Sequence, residues 1–179
     1  MGKQHSNIKT TATKMPGDKR KIEIYFDRLD ASHQNATNRL LHYLFVPVMM
    51  LGILGMAWAL PFPHIGFLGK YNGYFNWASF VIAFAIYFYL KLSPLLSYFA
   101  LFLLFGLSYG VMQLELYEKA GGTPLAMISV LALIIGLTGQ FIGGKIEGKE
   151  ESFNDDTKLL AVTPLWVLYS LTKKFGLRY

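Results

Sequence analysis

Charged residues vanish from this chain over three long intervals: residues 74–90, 92–114 and 120–144 contain no Asp, Glu, Lys or Arg. Each interval is near or above the roughly 17–25 residues with which an α-helix crosses about 30 Å of hydrocarbon. An apolar run from Arg39 to Leu60 precedes them. The pattern predicts an all-α, multi-pass membrane bundle with spans at about 39–60, 74–91, 93–116 and 124–143. Thr37 or Asn38 suits the N-cap of the first span, and Pro61 with Pro63 stops it. Pro47 removes a backbone donor inside that helix and predicts a kink near its polar end. Lys91-Leu92-Ser93-Pro94 forms a tight hairpin, and Gly121-Gly122-Thr123-Pro124 opens the fourth span.

Two weaker elements flank this block. From Lys19 to Leu29 the apolar residues Ile22, Tyr25, Phe26 and Leu29 fall on one helical stripe, with Lys19, Arg20, Lys21 and Arg28 around it. That pattern predicts a short N-terminal helix lying in the membrane interface. Near the other end, residues 159–172 are apolar but only fourteen long, and Pro164 interrupts them. They are short for a span and suit an interfacial or re-entrant helix. Residues 1–18 read as a disordered basic tail and 19–179 as a single membrane domain.

Charge decides the orientation expected of such a bundle. With four spans, a cytoplasmic N-terminus and a non-crossing last helix, fifteen of the 17 Lys and Arg fall on the cytoplasmic side, leaving Lys70 and Lys119 opposite. Both termini are therefore expected in the cytoplasm, the membrane being the endoplasmic reticulum in a eukaryote or the inner membrane in a bacterium. The first 36 residues lack the apolar core of a signal peptide. The net charge of +6 lies beside the apolar segments, which points to lipid headgroups and away from nucleic acid. The chain has no cysteine, which excludes disulfides, iron–sulfur clusters, thiolate zinc sites and cysteine nucleophiles.

Chemistry concentrates in two polar motifs that this topology brings to one membrane face. Ser32-His33-Gln34-Asn35-Ala36-Thr37-Asn38-Arg39-Leu40-Leu41-His42 leads into the first span, and Gly139-Gln140-Phe141-Ile142-Gly143-Gly144-Lys145-Ile146-Glu147 leaves the fourth. Polar groups at a hydrocarbon boundary are expensive and mark function by default. His5 sits in the tail and His64 on the opposite face, so His33 and His42 are the candidates for a shared site. A structural reading stands beside the chemical one. Asn38 and His42, four residues apart on one helix face, can hydrogen-bond to Gln140 and tie the first span to the fourth. Gly139-x-x-x-Gly143 and Gly52-x-x-Gly55 permit close helix contact. Trp58, Tyr74 and Trp77 read as interfacial anchors.

The two motifs and their spacing resemble a family of small membrane proteins, the Fe(II)-dependent 2-hydroxy-fatty-acid dioxygenases of fatty-acid α-oxidation and phytosphingosine breakdown. The likeness covers roughly residues 22–176. It rests on His33-Gln34-Asn35, Asn38, His42 and Phe45-Val46-Pro47, then on Gln140-Phe141-Ile142-Gly143-Gly144, Glu147, Asp155 or Asp156, and Pro164. The chain departs from the family at Gln34 and Gly144, where the family carries histidine. The resemblance implies oxidative removal of one carbon from a 2-hydroxy fatty acid with O₂ and Fe(II). It implies His33 and His42 as catalytic metal ligands, with Glu147, Asp155 or Asp156 completing a 2-His-1-carboxylate set and Glu147 the first choice. Asn35, Asn38 and Gln140 would orient them, and Arg39 or a basic residue of the N-terminal helix would pair with the substrate carboxylate. Loss of two family histidines leaves open an alternative, a lipid-binding membrane protein without that metal site.

Overall fold

The computed structural model describes residues 20–69, 75–148 and 157–173, the side chains of Thr157 and Lys158 excepted. The expected tail 1–18 and the candidate acids Asp155 and Asp156 lie outside these residues. The described residues form six α-helices and no strand: α1 (Lys21–Ser32), α2 (Ala36–Ala59), α3 (Trp77–Leu92), α4 (Pro94–Lys119), α5 (Leu125–Glu147) and α6 (Thr157–Lys173). By length and composition α2, α4 and α5 can each cross a membrane. The 16 residues of α3 extend about 24 Å, a little short of the hydrocarbon thickness. It starts at Trp77 and not at 74 because the Asn76 side chain accepts the Ser79 N–H at 3.0 Å and caps it. For the same reason α2 begins earlier than expected. Its N-cap is Asn35, whose Oδ1 accepts the Thr37 N–H at 2.8 Å, and not Thr37 or Asn38.

The largest helix contact is between α2 and α5, which run antiparallel along a seam of glycines. Gly52 lies against the backbone of Ser129 and Leu133, Gly136 against Met49, Gly139 against the Phe45 ring and Gly143 against Asn38. A β-carbon on Gly52 would stand 2.6 Å from Leu133 N, so only glycine permits this approach. Large side chains point the other way: Phe84, Phe102 and Phe105 are between 64% and 74% exposed. Small residues inside and bulky apolar ones outside is the arrangement that lipid favours, where burial of apolar surface no longer drives helix association.

α1 and α6 occupy the end of the bundle where α2 begins. The Tyr89 hydroxyl, near the end of α3, donates to the Ala161 carbonyl of α6 at 3.1 Å. Further along α6, Tyr169 stacks on Phe26 of α1 with ring centroids 4.7 Å apart. The apolar stripe of α1 is thereby accounted for: Ile22, Phe26 and Leu29 are buried in a core shared with Val162, Leu165 and Trp166. Lys21 and Arg28 remain exposed on the opposite side. The ambiguous segment is thus a helix that packs against α1, α2 and α4 and is hydrogen-bonded to α3.

Candidate functional site

His33 follows α1 as its C-cap residue, and His42 lies in the second turn of α2. Both are almost fully buried, at 1% and 4% exposure. Their Nε2 atoms face each other at 3.0 Å, with ring planes at 84°. His33 Nδ1 lies 2.8 Å from the Leu29 carbonyl, which can only accept, so Nδ1 carries the proton and donates. In the neutral ring the lone pair is then on Nε2, directed at His42. Backbone carbonyls commonly fix metal-ligating histidines in this way. Two nitrogens each about 2.1 Å from one metal, at about a right angle, would be about 3.0 Å apart. That separation matches two adjacent nitrogens on one metal, while as the rings stand the two Nε2 atoms share a hydrogen bond. His42 Nδ1 is buried without a hydrogen-bond partner, as is Asn38 Oδ1.

Glu147 ends α5 close to this pair, but its oxygens are directed elsewhere. Oε1 accepts the Gln34 N–H and Oε2 the Asn35 N–H, each at 2.8 Å; Oε2 also accepts from Asn38 Nδ2 at 3.2 Å. Unsatisfied N–H groups and the positive helix end make the start of α2 a natural seat for a carboxylate. These bonds hold the Glu147 carboxyl below its usual range, the Asn35 N–H contributing most. Among the described residues, no three His, Asp or Glu side chains gather as a metal-ligand set.

The remaining candidates divide. Asn35 and Asn38 join the Glu147 network, and Asn38 sits on Gly143. Gln140 does not bridge to Asn38 or His42; its amide donates to Met49 Sδ at 3.1 Å and to the Gly136 carbonyl at 3.4 Å. Arg39 pairs with Asp30 at 3.1 Å and keeps a buried Nε with no partner. Gln34, where the resemblance leads one to expect histidine, turns its side chain back to the Asp30 carbonyl. Gly144, at the second such position, has nothing within 4 Å of where a β-carbon would be.

Sequence reasoning missed two residues of this site. Trp166 of α6 is wholly buried, its ring 4.7 Å from that of His33 and 6.3 Å from that of His42. Its indole N–H donates to Asp30 Oδ1 at 2.9 Å. The available signal was position: Trp166 stands mid-segment, whereas Trp58 and Trp77 stand near helix ends, as anchors do.

Residues 20–175 match the protein family described as 2-hydroxy-palmitic acid dioxygenase Mpo1-like. The chain belongs to this family. Comparison with curated proteins and with solved structures gives no significant match. In this Mpo1-like chain the first motif's imidazoles, His33 and His42, are in contact at the α1–α2 junction. The family description and the apolar helices agree with a membrane-associated protein acting on a lipid.

Proposed function

We propose that this protein is a membrane-embedded, Fe(II)-dependent dioxygenase that shortens 2-hydroxy fatty acids by one carbon. The observation that carries this reading is the buried His33–His42 contact, with His33 Nε2 presented by the Nδ1–H bond to Leu29. His33 and His42 would hold the metal, which when bound supplies activation of O₂. Asn38 and Glu147 tie the start of α2 to the end of α5 and so hold His42 at its place on α2. Trp166 and the α1–α6 layer shield the imidazoles from bulk water. Arg39, already beside the pair in sequence, would meet the substrate carboxylate through the part of its guanidinium that Asp30 leaves unbonded.

With this goes a topology of one domain over residues 19–179, four spans, both termini cytoplasmic, and a tail at 1–18 outside it. A second reading, lipid binding without iron chemistry, draws on the engagement of both Glu147 oxygens and on Gly144, which offers no ligand. Anaerobic Fe(II) reconstitution of detergent-purified protein separates the two. About one iron per chain, lost in folded His33→Ala and His42→Ala variants, with a 2-hydroxy fatty acid converted to the chain one carbon shorter, is the expected result. Iron no higher than background would leave the lipid-binding reading.

A further inference from the structure

The orientation of His33 is held in part by residues outside both polar motifs. An imidazole has a broad, two-fold preference about its outer torsion, so backbone position alone does not choose which nitrogen faces a neighbour. His33 also lies just past the regular helix, at φ −130° and ψ 60°. Its Nδ1 lies 3.0 Å from Ser32 Oγ within the motif, and two further contacts fix the ring. Nδ1–H is bound to the Leu29 carbonyl, and the Trp166 indole packs at 4.7 Å, tilted by 44°.

The indole is itself held. Asp30 Oδ1 accepts the Trp166 N–H at 2.9 Å and Arg39 Nη2 at 3.1 Å, so one carboxylate oxygen joins α1, α2 and α6. Hydrogen bonds to an ionised acceptor are shorter and stronger than neutral ones, and here they fix the plane of the ring that backs His33. We infer that Trp166 and Asp30 are a positioning pair: they hold the His33 ring in the orientation in which Nδ1–H reaches the Leu29 carbonyl and Nε2 faces His42. Trp166 touches the imidazoles and Asp30 acts through it. This rests on His33 and His42 being the working groups of the site proposed above.

The test uses full-length protein in detergent, with two readouts: ¹⁵N-imidazole NMR for the His33 tautomer, and calorimetric titration with Ni²⁺ for metal affinity. Trp166→Phe keeps an aromatic ring and removes the N–H; Asp30→Asn removes the charge that holds it. Tyr89→Phe is the control, because it frees α6 at Ala161 without touching the site. Loss of an outer partner of a ligating histidine typically lowers metal affinity about 10- to 100-fold. Trp166→Phe is expected to lose about tenfold in Ni²⁺ affinity and to mix the two His33 tautomers, Asp30→Asn to do so in part, and Tyr89→Phe to do neither. The inference is overturned if Trp166→Phe keeps both wild-type values, or if Tyr89→Phe loses as much. Should the wild type bind no Ni²⁺, the ligand reading fails by itself and the tautomer decides: a mixture in Trp166→Phe supports the positioning pair and an unchanged signal overturns it.

Discussion

Gly52→Ala probes the seam on which the site is built. The added β-carbon would stand 2.6 Å from Leu133 N, 2.8 Å from Ser129 O and 2.9 Å from Leu133 Cα. All three are backbone atoms, so no side chain can swing away. Ordinary contact between such atoms needs about 3.5–4.0 Å, and α2 and α5 must part by roughly 1 Å. Overpacking of this kind costs about 1–3 kcal/mol, and backbone on both sides places it at the upper end. Better helix propensity of alanine returns up to about 1 kcal/mol, leaving a net loss of about 2 kcal/mol. Gly106→Ala is the matched control. It lies in α4 with nothing within 4 Å of the new carbon, so only the propensity gain of at most about 1 kcal/mol remains. Reversible unfolding of both variants by SDS in mixed micelles, followed by circular dichroism, measures the difference. Shifts of the same sign and size in the two would refute the claim that α2 and α5 meet backbone to backbone at Gly52.

Glu147→Ala should release the start of α2, giving faster amide hydrogen exchange at Gln34 and Asn35 and a lower Tm, with the middle of α2 unaffected. Tyr89→Phe removes one hydrogen bond to α6 and should cost about 1 kcal/mol in the same SDS titration, with faster proteolysis within α6. Gly144→His should fold with wild-type stability, because the new side chain enters open space. A Tm several degrees lower would show that the position is packed after all.

Hydrophobic spacing was enough to locate α2, α4 and α5, because uncharged runs of that length have few alternatives. Helix starts were read less well. Thr37 and Asn38 look as capable of capping as Asn35, and the choice depends on Glu147, more than a hundred residues away, taking the N–H groups of Gln34 and Asn35. The meeting of His33 and His42, nine residues apart, depends on the turn between α1 and α2. What followed from neither pattern nor spacing was the role of α6. A fourteen-residue apolar segment says nothing of which helix it covers, and Asp30 reads as one more charge on an amphipathic helix until its partners Trp166 and Arg39 are in place. Glu147 shows the converse: an acid in a ligand-like position whose lone pairs are taken by backbone amides.

The depth of the imidazole pair has a kinetic consequence. His42 stands six residues into α2, about 9 Å along the axis from Ala36, which corresponds to the zone just beneath the headgroups if α2 spans the bilayer. A long-chain acid dissolved in a leaflet already holds its carboxyl end near that level, so reaching the histidines is a sideways journey within the sheet of lipid. For the reaction proposed above, turnover should then follow the mole fraction of acid in the surface. Adding inert lipid or detergent at constant total acid would slow the protein by surface dilution, and a bulk-concentration KM would change with every micelle preparation.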